Sequence, residues 1–130
     1  MLRLLIIAHA PLASALKQVA AHIDPERAAW VDACDIRDDD TLEDAVARGA
    51  AALARAGDAD VLILTDVFGA TPCNAARQLC LRPGVRMVCG INVPALWRAI
   101  GHLHEPLDVV TELVVAGGQR GIQDLGGAAL

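Results

Sequence analysis

Apolar residues fall along this chain in two kinds of run. Short, nearly unbroken runs (Leu2 to Ala8, Asp60 to Thr65, Val85 to Cys89) alternate with longer stretches whose apolar positions recur every three or four residues. The first kind predicts strands buried on both faces and the second amphipathic helices. Their alternation predicts an α/β fold around a mainly parallel sheet. Ala28 to Cys34 reads as a further short strand, second in chain order. A helical stripe of Leu12, Ala15, Leu16, Val19 and Ile23 is opened by Pro11 and closed before Asp24-Pro25. Another, of Leu42, Ala45, Val46, Gly49, Leu53 and Ala56, has Thr41 and Asp44 as a capping pair. A helix is expected from Pro72 to about Leu81, stopped by Pro83-Gly84, and one more opened by Pro94. Asp35 to Asp40 reads as a solvated acidic loop. The stretch Asp108 to Val115 is open to two readings. Its β-branched content suits a strand, while Leu103, Leu107, Val110, Leu113 and Val114 share one helical face.

Length and composition narrow this picture. The chain has 130 residues with no repeat, linker or low-complexity stretch, which is one domain over residues 1–130. At 55% hydrophobic and 21% charged it is not a disordered sequence. No apolar run approaches the ~18 residues of a membrane helix. The run Leu4 to Ala8 is short for a signal peptide, so a cytoplasmic protein is expected. The net charge is −5, and the 11 basic residues are scattered singly, so no nucleic-acid partner is expected. Cys34, Cys73, Cys80 and Cys89 form no C-x-x-C pair and lie among apolar neighbours, as reduced, mostly buried thiols would. His102 and His104 stand two apart, which a helix points to different sides. Neither a metal nor another cofactor is expected.

Chemistry gathers at one edge of the predicted sheet. In a flavodoxin-like 2-1-3-4 order, the first and third strands flank the switch point where ligands bind. His9 follows the first strand and Asp66 the third, so an imidazole and a carboxylate should meet there. After Asp66, Gly69 permits a tight turn, Thr71 is a good N-cap, and Pro72 suits a first helical position. Gly69, Ala70 and Thr71 would therefore turn free amides toward the same edge, as an anion site. No G-x-x-x-x-G-K-[ST] or G-x-G-x-x-G stretch offers a nucleotide cradle. The constellation suits a phosphoryl group carried on histidine. A carboxylate on one ring nitrogen fixes the tautomer that leaves the other nucleophilic. The helix terminus then receives the phosphoryl oxygens.

His9, the block Asp66-Val67-Phe68-Gly69-Ala70-Thr71-Pro72-Cys73-Asn74-Ala75-Ala76 and the run Gly90-Ile91-Asn92-Val93-Pro94-Ala95-Leu96 together resemble a known family. It is the mannose-type enzyme IIA component of the bacterial phosphoenolpyruvate-dependent sugar phosphotransferase system, and the resemblance covers nearly the whole chain. It implies that His9 takes a phosphoryl group from the phosphocarrier HPr and passes it to a IIB protein. It also implies that Asp66 pairs with the histidine and that Thr71 stands at the phosphate site. Four parallel strands are implied, with a last antiparallel strand exchanged between the subunits of a homodimer. On that analogy Leu107 to Ala116 is a helix, and Gly121 to about Leu125 is the exchanged strand, reached through the flexible Gly117-Gly118. Position 70 is Ala where the family commonly has Gly. No Ala/Pro-rich linker or IIB domain lies within the 130 residues, so the acceptor is expected to be another protein and membrane association only indirect. A regulatory IIA-like protein, including the dihydroxyacetone-kinase type, is the alternative within this class. A flavodoxin-like small-molecule binding module is the alternative outside it.

Overall fold

The computed structural model describes residues 1–127. In chain order they form β1 (Arg3–His9), α1 (Leu12–Ile23), a 3-10 turn (Arg27–Trp30), β2 (Val31–Ile36), α2 (Leu42–Arg55) and β3 (Val61–Thr65). There follow α3 (Thr71–Leu79), β4 (Val85–Val88), α4 (Val93–Gly101) and α5 (Leu107–Gly121). The sheet is all parallel in the order β2-β1-β3-β4. β1 and β3 are central, with Ile7 paired to Cys34 on one side and Thr65 on the other.

Alternate residues of the central strands face opposite layers, so each strand feeds two cores. Leu4, Ile6, Leu62 and Leu64 pack with α1, α4 and α5, while Leu5, Ile7 and Ile63 pack with α2 and α3. Each such side chain contributes about 1.5–3 kcal/mol by leaving water. With no solvent face, these strands read as continuous apolar runs. α2 starts where expected: the Thr41 hydroxyl accepts from the Asp44 amide at 3.1 Å, and the Asp44 carboxylate accepts from the Thr41 amide at 3.0 Å.

Four local expectations change. β2 begins at Val31, because Ala28 to Trp30 close a 3-10 turn and the strand continues to Ile36. Asp35 and Asp40 are not a solvated run: Asp35 holds Ser14, and Asp40 pairs with Arg48. Gly117 and Gly118 are not a flexible hinge but lie inside α5, which passes Ala116 and ends at Gly121. Contact with α4 keeps them helical. The Asn92 side chain donates to the Gly118 carbonyl at 2.9 Å. A β-carbon at Gly117 would come within 2.3 Å of Arg98 Cγ, and one at Gly121 within 2.4 Å of the Pro94 ring. Finally, Gly121 ends a helix rather than opening a strand, and residues 122–127 form no strand within this chain. Ile122 and Leu125 are 80% and 59% exposed there. Leu130 lies outside the described residues.

Candidate functional site

The parallel order brings the ends of β1 and β3 together, and His9 and Asp66 with them. Asp66 Oδ2 accepts from the His9 backbone amide at 3.0 Å and lies 2.8 Å from His9 Nδ1. Asp66 Oδ1 accepts from the Val67 amide at 2.9 Å. The Asp66 side chain is 10% exposed and that of His9 is 48% exposed. Burial pushes the Asp66 carboxyl up, but the amide and ring of His9 and the Val67 amide outweigh it, leaving a net shift below the ordinary carboxylate value. In a neutral imidazole, an ionised carboxylate at Nδ1 favours the tautomer with the proton on that nitrogen and the lone pair on Nε2.

Two helices begin at this edge, and they differ. α1 starts three residues after His9, and its first turn is occupied: Asp35 accepts from the Ser14 amide at 3.0 Å and from the Ser14 hydroxyl. At α3 no side chain among the described residues caps the start. Gly69 turns the chain at φ +84°, and Ala70 takes the extended backbone of an N-cap, at φ −82° and ψ 171°. Thr71 is therefore the first helical residue and not the cap. With Ala70 in the N-cap position, the Thr71 hydroxyl does not make the capping hydrogen bond expected of it. Pro72 has no amide hydrogen, so the first-turn donors are Thr71 and Cys73. Asn74, not singled out from the sequence, fastens this turn by donating to the Gly69 carbonyl at 3.2 Å. Val67 and Phe68, at 55% and 74% exposed, add apolar surface immediately after Asp66.

The other chemistry-bearing residues lie elsewhere. All four cysteines are free, with Cys34 and Cys73 buried and Cys80 and Cys89 half-buried. His102 ends α4, and His104 is exposed beyond it. Among the described residues no helix is long and apolar enough to cross a membrane.

The class is thus an open parallel α/β domain with a carboxylate-held histidine at its switch point, beside an uncapped helix start. The EIIA-man family model, described as the PTS system fructose IIA component, matches residues 3–107. This chain belongs to that family, the mannose-type IIA components of the sugar phosphotransferase system. No curated protein sequence matches it. The mannose/sorbose-specific IIA subunit from Enterococcus faecalis is similar at TM-score 0.89 and 26% identity, over 99% of this chain and 98% of that one. A phosphotransferase system EIIA component from Streptococcus agalactiae shares the fold at TM-score 0.84 and 22% identity, over 98% and 100%. The IIA protein associated with a fucose utilization operon in Streptococcus pneumoniae does so at 0.81 and 21%, over 95% and 92%.

Proposed function

We propose that this chain is a cytoplasmic phosphohistidine carrier that receives a phosphoryl group on Nε2 of His9 from HPr and delivers it to a separate IIB protein for sugar uptake. The observation that carries the reading is the Asp66 carboxylate 2.8 Å from Nδ1. It directs the Nε2 lone pair outward and compensates the positive charge that the ring gains on phosphorylation. As HPr approaches, Nε2 attacks phosphorus, the N–P bond to HPr breaks, and its electron pair stays with the HPr imidazole. The amides of Thr71 and Cys73, at the positive end of α3, stabilise the transferring oxygens. Gly69 and Ala70 shape the turn that aims them. Transfer to IIB is the same step in reverse, with a different imidazole or thiolate as nucleophile.

Incubation with phosphoenolpyruvate, enzyme I and HPr, followed by intact mass, tests the proposal. The wild type is expected to gain one acid-labile phosphoryl group, about 80 Da by the mass of HPO3 added in such a transfer. His9→Ala is expected to gain none, and full labelling of His9→Ala overturns the assignment. The same reading makes the protein a homodimer. The exposed Ile122 and Leu125 follow α5, and β4 is an edge strand that a partner's tail would cover.

A further inference from the structure

Beside the edge that carries His9, a cleft of about 440 Å³ opens between β2, α1 and α2. Arg37, Arg48 and Arg55 line it, and Ala33, Ala51 and Ala52 are also among its lining residues. These three arginines are separated by at least seven positions in the sequence, and only the packing of α2 beside β2 collects them. Asp35 is the carboxylate that lines the cleft, and its oxygens already accept from Ser14. Arg48 is held by the Asp35 carbonyl and by Asp40. The Arg37 backbone amide donates to Asp40 at 2.6 Å, but among the described residues neither the Arg37 nor the Arg55 guanidinium pairs with a carboxylate. Three arginines thus line one concavity with one carboxylate, Asp35, while Asp40 engages Arg48 from outside the lining, in a chain whose net charge is −5. Gathering them works against their mutual repulsion, which a bound anion relieves.

We propose that this cleft binds a small organic phosphate. Guanidinium forks match phosphate oxygens two at a time, which favours a phosphate group over a halide. The methyl groups of the alanines leave room for, and apolar contact with, a short carbon skeleton, and the volume is that of a small-molecule site. Ala10, the residue after His9, also lines the cleft, so a ligand seated there borders the surface a protein partner must cover to reach the histidine. The site is distinct from the phosphoryl position at α3 and does not depend on His9 carrying phosphate.

Ribose 5-phosphate, with ribose and sodium chloride at matched ionic strength as controls, is the probe, read by amide chemical shifts of the ¹⁵N-labelled protein. Saturating shifts are expected at residues 33–37 and 48–55 with the phosphate ester and not with either control. The double variant Arg37→Gln/Arg55→Gln replaces two exposed side chains, and its unchanged circular dichroism would show that it is folded. Its affinity is expected to fall about tenfold or more, as loss of charge-assisted hydrogen bonds requires. Absence of saturation, equal affinity in the double variant, or shifts confined to residues 69–73 overturns the proposal. The last outcome places the anion at α3 alone.

Discussion

Replacing Asp66 by Asn removes the charge and keeps the shape. The carboxylate accepts three hydrogen bonds, two at Oδ2 from the backbone and ring of His9 and one at Oδ1 from Val67. An amide has only one accepting oxygen. If it faces His9, the Asn amino group meets the Val67 N–H, donor against donor. In the other orientation the amino group faces the His9 backbone N–H and donates to Nδ1, which moves the ring proton to Nε2 and closes the nucleophilic position. Either way one charge-assisted hydrogen bond is lost, and such bonds contribute about 1.5–3 kcal/mol. His9 is 48% exposed on its side chain, so water screens part of the charge effect. The expected loss in phosphotransfer is on the order of 10²-fold, or about 2.7 kcal/mol at 1.36 kcal/mol per tenfold. Rapid-quench transfer from labelled phospho-HPr measures it, with circular dichroism to show that the fold is kept. A folded Asp66→Asn protein within twofold of the wild-type rate refutes the role given to the carboxylate.

The net lowering of the Asp66 pKa also makes stability depend on pH. The contribution is fully present above the unfolded value near 4 and is lost as pH falls through the lower folded value. The gap in urea-unfolding free energy between wild type and Asp66→Asn should therefore narrow below about pH 4, and a gap that widens on acidification counts against the assigned shift. Thr65, fully buried beneath the site, has a hydroxyl without a hydrogen-bond partner among the described residues. Thr65→Val should consequently stabilise the fold by about 1–3 kcal/mol in the same assay, and a loss of stability would show that the hydroxyl is satisfied. Gly121 rests on Pro94, so the cut that probes assembly belongs after it. Deleting residues 122–130 should convert a dimer to a monomer by light scattering. A monomeric full-length protein, or a dimeric truncated one, defeats strand exchange.

What was legible in the sequence was whatever depended on neighbours along the chain or on burial of a whole strand. β1 and β3 have no wet face, and the Thr41–Asp44 box is purely local, so both could be read directly. Given the parallel order, the meeting of His9 and Asp66 across 57 positions followed from topology. The misreadings have tertiary causes. Intrinsic propensity puts a stop at Gly117-Gly118, yet α4 offers a surface that only residues without side chains can approach so closely. Thr71 has the composition of a cap, but the left-handed Gly69 starts the helix one position earlier. The arginine cleft was hidden because bases scattered singly in sequence say nothing of which will share a wall once α2 lies against β2.

The double attachment of His9 to Asp66, at the backbone amide and at the ring, has a kinetic consequence. A ring held at both points does not swing like the arm of a flexible carrier, so on the proposed reading phosphorus must be brought to it and taken from it. With Nδ1 held by Asp66, Nε2 is the ring nitrogen that this reading leaves for transfer. Donor and acceptor must then contact the same atom from the same side, and the footprint of one excludes the other. On the proposed reading a ternary complex is therefore not expected, and steady-state plots at several fixed acceptor concentrations should be parallel lines. Excess unphosphorylated HPr should slow delivery to IIB by occupying the approach that IIB needs.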